Sequence, residues 1–440
     1  MKSSKFVTLL GLVGMTFGMA SCGGNTSSAA ATSSAGDTST QTSTQTSTET
    51  SSQAATKTEI VVGSPSAQKT WVETKVNAWL VAQGLDSKYT VSMYELGEGD
   101  VNSKVTDWTA GPDIYAYASD QTLGLVGKGA LAKVPTAYAT EMKTALGNEA
   151  MVAAQIGTSY YGYPYAGDNG YFLYYNKSVF TDTSKLEKLT DVVDVCTAAN
   201  LKLSYKLADT FFSTGVMFSF GARYDVALSA DSKSIEAISA DFNSEKGVKA
   251  IKAMKDIINN TGIDTTTDGQ KAPTVANGLG ACVDGGWNAS NYKEALGDDY
   301  GCCKLPSVTV GTETVNLGSF LGYKLYGVNP SRTGTTTEKL SDLHKLANYL
   351  ISKDVQEKRF DDLTIVPTNA EVKALSKVQE TPHVKALADQ SAFAVAQTIV
   401  PGHVWDTATN PYALLLENTD ATDEEIQAMA TSYNTAVCTL

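Results

Sequence analysis

Apolar residues in the chain from Glu59 onward recur with two alternating periods. Ile60-Val61-Val62 is a β-branched run closed by Gly63-Ser64-Pro65, the pattern of a buried strand. The spacing then predicts a helix through Trp71, Val76 and Trp79-Leu80. Tyr89–Tyr94 alternates as a second strand, Val101–Trp108 reads as a helix, and Asp113–Tyr117 as a third strand. Strand, helix, strand, helix, strand is the order of an α/β layer with parallel strands. Farther on, Val248, Ile251, Met254 and Ile258 share one face of a predicted helix over Asp241–Asn260, which Thr261-Gly262 ends. Lys339–Phe360 is predicted as one helix with Leu343, Leu346, Ala347 and Leu350 inward. Thr422 and Glu425 have the spacing of a capping box opening a last helix. No internal repeat of fixed period is present.

The N-terminus follows a different pattern. A short basic segment with Lys2 and Lys5 precedes a mostly apolar stretch from Phe6 to Ala20, the form of a secretory signal rather than a spanning helix. The stretch runs into Ala20-Ser21-Cys22-Gly23-Gly24, which resembles a bacterial lipobox. On that reading residues 1–21 are a signal peptide and Cys22 becomes the diacylated first residue of the mature chain. The alternative is a plain signal peptide with Cys22 incidental. Two acyl chains, at about 0.8 kcal/mol per buried methylene, anchor stably. Residues 22–58 are dominated by Ser, Thr, Ala and Gln and cannot bury a core, so they read as a disordered tether. Its r.m.s. reach is roughly 30–35 Å.

Composition narrows the function. The 440 residues carry 34 basic and 47 acidic side chains, a formal charge of −13, which argues against nucleic-acid binding. The three histidines, His344, His383 and His403, lie far apart without metal-ligand spacing, so no metal and no cofactor are expected. With Cys22 lipidated, five cysteines remain and no Cys-x-x-Cys occurs. Buried free thiols are the expectation, with a bridge from Cys282 to Cys302 or Cys303 the less favoured reading. Gly127-Lys128 is followed by glycine and lacks the upstream glycine, so it is no phosphate loop. Ser66–Lys69 and Ser290–Lys293 fit the Ser-x-x-Lys spacing but lack its companion motif, so no catalytic residue is assigned.

Six segments, in order, carry a family resemblance. They are Gly111–Tyr117; Gly129–Val134; Tyr163-Pro164 with Leu173–Lys177; Asp284–Trp287; Tyr300–Pro306; and Tyr349–Lys353 with Pro367–Asn369. Together they resemble bacterial extracellular solute-binding proteins of the maltose-binding type, the capture subunits of ABC importers. The resemblance implies an α/β, two-lobed periplasmic-binding-protein-like fold of type II, a ligand cleft between lobes joined by hinge crossings, and closure on the ligand. Crossings are expected near Ala166–Asn169 and Pro306–Gly318. Lobe one is then 59–166 plus 307–366, and lobe two 170–304 plus 367–440. It also implies no enzyme activity, a monomer, a small-molecule solute that is a sugar, permease subunits as partners, and contact with the membrane through the lipid anchor.

Sugars need flat aromatic surfaces for their C–H faces, and carboxylates and amides for their hydroxyls. The resemblance points to Tyr117, Asp120 and Glu98 in lobe one and to Asp168 and Asn169 at the hinge. In lobe two it points to Asp209, Phe211, Trp287, Trp405 and Tyr412. Gln121 stands where a maltose binder has arginine, which leaves the identity of the sugar open. Residue pattern alone also allows Tyr117 in the core, Asp120 as a helix cap and Asp209 as a solvated loop acid. The same fold binding a polyamine or a phosphorylated polyol is one alternative; a surface glycan hydrolase and an adhesin are others.

Overall fold

A computed structural model describes residues 57–266 and 271–440. The expected signal peptide, Cys22 and nearly all of the expected tether lie outside the described residues. Thr58–Ser64 pairs in parallel with both Tyr89–Glu95 and Ile114–Ala118, the order expected from the alternating periods. The helix Lys69–Ala82 between the first two buries Val72, Val76, Trp79 and Leu80. Asp113 locks the third strand against the first. Its carboxylate accepts from the Val61 amide at 2.8 Å and meets Lys339 Nζ at 2.7 Å and Arg332 Nε at 3.3 Å. A buried acid without such partners would be strongly destabilising.

Two long strands carry this layer into a second one. Tyr163–Asn176 pairs through residues 163–170 with Ser319–Val328, then through 171–175 with Leu279–Gly285 and through 173–176 with Tyr300–Cys303. Ser319–Val328 pairs at its start with Ala394–Ala396 and at its end with Ile114–Ala118, with a register shift between Gly322 and Lys324. The result is one ten-stranded sheet with two halves. The first half packs clusters around Ile60, Ile114, Tyr326 and Leu346 and around Trp108, Tyr115 and Leu125. The second packs one around Leu203, Phe212, Ile251 and Tyr433. These halves are the two lobes.

The second crossing differs from expectation. Residues 307–316 form a hairpin, and Val308 and Leu317 are buried in the core of the second lobe. The crossing therefore lies within Ser319–Lys324, and the stretch assigned from sequence to lobe one begins there. A polar alternating hairpin signals a strand pair but carries no information about which core receives its one buried face. Val101–Trp108 is helical only over Val101–Lys104. Lys339–Phe360 is two helices, Thr337–Leu350 and Lys353–Leu363, with Ser352 in extended conformation at the break. The Glu245–Asn259 helix buries Ile251 and Met254 as predicted, with Val248 and Ile258 at the edge of the same core. The Thr422–Glu425 capping box is formed.

The five described cysteines are free thiols. Cys282 and Cys302 sit opposite Tyr174 on the two strands that flank it. Two strand spacings separate them, about 10 Å, beyond the reach of a disulfide. Among the described residues no helix is long and apolar enough to cross a membrane.

Candidate functional site

A cavity of about 780 Å³ opens between the lobes. Its second-lobe wall is aromatic. Asp209 caps the helix Thr210–Phe218 by accepting from the Phe211 amide at 3.0 Å; Lys206 Nζ stands 3.8 Å from its other oxygen. The cap fixes where Phe211 starts. The Phe211 ring stacks on Phe320 at 5.6 Å and meets Trp287 at 6.0 Å and Trp405 at 6.4 Å. Trp287 remains 36% exposed, while Phe211 and Trp405 are half-buried; all three line the cavity.

The local chemistry of the Trp287 turn explains its sequence. The indole folds back over Gly285, where a Cβ would collide with its ring. Buried Asp284 staples the turn: Gly285 N donates to Oδ1 at 2.6 Å, Asn288 Nδ2 to Oδ2 at 2.9 Å, and the Tyr292 hydroxyl to the same oxygen. Burial pushes the Asp284 carboxyl up to about 6.

The first-lobe wall is polar. Asp120 lines the cavity, in the turn Ser119–Gln121 after the third strand. Its Oδ1 is enclosed without a hydrogen-bond partner, and burial pushes its pKa up to about 6. Tyr224 of the second lobe also has an enclosed, unpartnered hydroxyl, whose pKa is raised by burial and then by the Asp120 charge. Gln121 accepts from Asn102 N at 2.8 Å and donates to Glu98 O at 2.6 Å, so its amide braces the neighbouring loop. Asn169, on the first hinge strand, donates to Gln397 Oε1 at 2.7 Å, and both face the cavity.

Behind the Trp287 ring, off the cavity lining, lies a buried cluster of charges. Lys324, buried on the second hinge strand, has its ammonium 3.1 Å from Asp168 Oδ1, 4.0 Å from Glu98 Oε1 and 5.9 Å from the Trp287 ring centre. The Asp168 contact is an ion pair without hydrogen-bond alignment. Burial opposes the lysine charge, yet Asp168 and Glu98 together hold its pKa above the ordinary value. Glu98 is further held by the Tyr165 hydroxyl at 2.7 Å and Gln68 Nε2 at 3.1 Å.

A third wall is supplied by a hairpin of the second lobe, strands Tyr224–Leu228 and Ile235–Ala240. Leu228 and Ile235 pack against the first-lobe cluster of Trp108, Leu123 and Ile156. Lys233, Ser234 and Ile235 line the cavity.

Of the residues singled out from sequence, Asp120, Asn169, Asp209, Phe211, Trp287 and Trp405 meet at this cavity. Asp168 and Glu98 do not line it; they pair with Lys324 behind the Trp287 ring. Two are placed elsewhere. Tyr117 is fully buried between Tyr115 and the Tyr161 carbonyl, to which its hydroxyl donates, so it is core. Tyr412 is buried with its hydroxyl on Thr265, two residues after Asn410, which caps its helix. Sequence reasoning missed Lys324, Gln397 and the hairpin. Lys324 left a signal: it is the one charged residue in Ser319–Val328, an otherwise apolar strand.

Residues 82–386 match the family model described as bacterial extracellular solute-binding protein. No curated protein matches the chain. A structure solved with acarbose aligns at a TM-score of 0.75 and 25% identity, covering 87% of this chain and 99% of that one. A maltodextrin-binding protein from L. casei BL23, solved without ligand, aligns at 0.73 and 17%, covering 88% and 100%. The maltose/maltodextrin-binding domain from Bdellovibrio bacteriovorus, bound to maltotriose, aligns at 0.69 and 17%, covering 86% and 98%. The last two likenesses are of fold.

Proposed function

The chain belongs to the bacterial extracellular solute-binding protein family, and from that premise we propose that it captures a carbohydrate, an oligosaccharide, in the interlobe cleft and delivers it to the membrane subunits of an ABC importer. It is a binding subunit that does no covalent chemistry. The lipobox reading adds an anchor: acylated Cys22 holds the chain on the extracytoplasmic face of the cell membrane through its tether. Replacing Cys22 with alanine then releases the protein from membranes, and a Cys22→Ala chain that still partitions with lipid contradicts the anchor.

The observation that carries the sugar reading is the pairing of walls. Phe211, Trp287 and Trp405 present ring surface on one side, and Asp120 and Asn169 present acceptor and amide on the other. This matches a ligand with apolar faces and a rim of hydroxyls. A polyamine needs several uncompensated acids, but on the cavity wall Asp100 pairs with Lys104 and Asp209 lies beside Lys206, which leaves Asp120 alone. A phosphorylated polyol needs buried cations, whereas Lys233, the one cation on the cavity wall among the described residues, is exposed.

A thermal-shift panel tests the reading. Malto-oligosaccharides, other neutral oligosaccharides, spermidine and glycerol phosphate are added to purified protein. A neutral oligosaccharide at a hundred times its dissociation constant is expected to stabilise by about 2.7 kcal/mol. Stabilisation by spermidine or glycerol phosphate alone contradicts the sugar assignment.

A further inference from the structure

Three strands lie side by side where the lobes join. At Leu321 the strand Ser319–Val328 pairs with Gly170 on one side and with Ala396 on the other. One residue on, Gly322 stands opposite Asn169, and Gln397 follows Ala396. Asn169 and Gln397 reach over the middle strand to meet, Asn169 Nδ2 donating to Gln397 Oε1 at 2.7 Å. Gly322 leaves room for that bond. A Cβ there would come within 2.8 Å of Gln397 Oε1 and 3.1 Å of Asn169 Nδ2, so a larger residue would displace the amides. The Gln397 backbone is fixed at both ends: its amide donates to Leu321 O at 2.9 Å, and its carbonyl accepts from the hydroxyl of Ser119, the neighbour of Asp120. Both Asn169 and Gln397 line the cavity between the lobes. Their one mutual bond leaves the Asn169 carbonyl oxygen and the Gln397 amide nitrogen with no other hydrogen bond among the described residues, and unlike Asp120 Oδ1 neither atom is enclosed. Exchanging oxygen and nitrogen in both amides gives the same complement, so one acceptor and one donor stand together in the cleft either way.

We propose that Asn169 and Gln397 act together as the reader of a vicinal diol, one amide accepting from a ligand hydroxyl and the other donating to its neighbour, which makes Gln397 a specificity-determining residue of the cleft. This rests on the reading of the cleft as a carbohydrate site, and it names what the sugar must offer there: two adjacent free hydroxyls held gauche, as on any pyranose ring except at a trans-diaxial pair. A hydroxyl both donates and accepts, so two neighbouring ones satisfy the amide acceptor and the amide donor at once. A ring that lacks either hydroxyl leaves one amide group dehydrated without a partner, and that unpaired group is what rejects the analogue. The backbone ties of Gln397 and the space above Gly322 hold the pair in register before the ligand arrives.

The test is a calorimetric titration of the purified full-length protein. Maltotriose, cellotriose, xylotriose, mannotriose and raffinose are titrated into the wild type, and the tightest binder is then compared with its analogues deoxygenated at one ring position at a time. Removing either of two adjacent hydroxyls is expected to weaken wild-type binding about tenfold. Gln397→Met keeps the side-chain length and removes both polar groups. It is expected to bind the intact sugar about tenfold more weakly than the wild type does, and to lose nothing further when one of those two hydroxyls is removed. A merely structural role for Gln397 would weaken every analogue alike, so equal losses across the series in folded Gln397→Met overturn the proposal. A wild-type series with no adjacent pair of costly positions overturns it as well. If Gln397→Met does not fold, Gln397→Glu at pH 8 exchanges the donor for a carboxylate oxygen and is read in the same way. If none of these sugars binds the wild type, the carbohydrate reading fails and the diol reader with it; wild-type binding with uniform losses in the variant removes the reader alone.

Discussion

At the scale of single residues, Trp287 separates the binding role from the structural one. Its ring is held by the Asp284 staple and by the absence of a Cβ at Gly285, yet more than a third of its surface stays exposed. Truncation of a platform of this kind costs about 2 kcal/mol or more in binding, roughly thirtyfold. A core tryptophan would instead cost about 3–5 kcal/mol of stability. Trp287→Ala is therefore expected to keep most of its unfolding midpoint without ligand and to lose sugar affinity; a protein that loses the midpoint and keeps the affinity contradicts the platform. Asp120 makes the cleft sensitive to pH. Burial holds its carboxyl near 6, so it is mostly neutral at pH 5 and ionised at pH 7. A raised folded pKa contributes stability that is fully present below the unfolded value, near 4, and is lost as pH rises through 6. A sugar hydroxyl donating to the carboxylate reverses that preference in the complex. Affinity is then expected to rise several-fold from pH 5 to pH 7 and to be flat in Asp120→Asn, which titrations at the two pH values check. Trp287 was legible because two glycines and a following Asn break core patterning. Tyr117 and Tyr412 were not placed correctly, because strand alternation and helix position leave the facing side open until the neighbouring strand or cap is known.

Among the elements, the hairpin Tyr224–Ala240 is the part of the site that sequence reasoning did not foresee. Its alternating half-polar strands resemble a solvent-exposed ribbon, and Leu228 and Ile235 pack against a cluster of the other lobe that is distant in sequence. Half-burying two aliphatic side chains contributes about 1.5–3 kcal/mol in total, enough for the ribbon to act as a strap across one side of the cleft. Leu228→Ser/Ile235→Ser is expected to weaken sugar binding about tenfold, chiefly through faster dissociation, with little change in the unfolding midpoint. Stopped-flow release of bound sugar measures this, and an unchanged off-rate removes the strap from the mechanism. By contrast, the first three strands and the Glu245–Asn259 helix were readable from periodicity, since each buries a complete local face. The break at Ile351–Ser352 was not, because the apolar spacing continues through it while the backbone does not.

The described residues from 57 onward form two cores joined by shared strands, an arrangement that gives the proposed capture its mechanics. Tyr163–Asn176 and Ser319–Val328 change pairing partners in mid-strand, so the lobes can rotate about residues that keep their hydrogen bonds on either side. The order of short motifs along the chain was enough to read the fold class. The second crossing was misplaced because a two-stranded hairpin intervenes before the hinge strand, and nothing in its own sequence ties it to either lobe. A ligand that touches both Trp287 and Asp120 favours the closed state by the difference in its contacts between the two states. Small-angle scattering of the purified protein, without and with a saturating oligosaccharide chosen from the thermal-shift panel, tests this central claim most directly. Capture in the cleft predicts a fall in the radius of gyration that titrates with sugar and is absent in Trp287→Ala at the same sugar concentration. Saturable sugar binding with an unchanged radius of gyration would place the ligand outside the closing cleft and contradict the account.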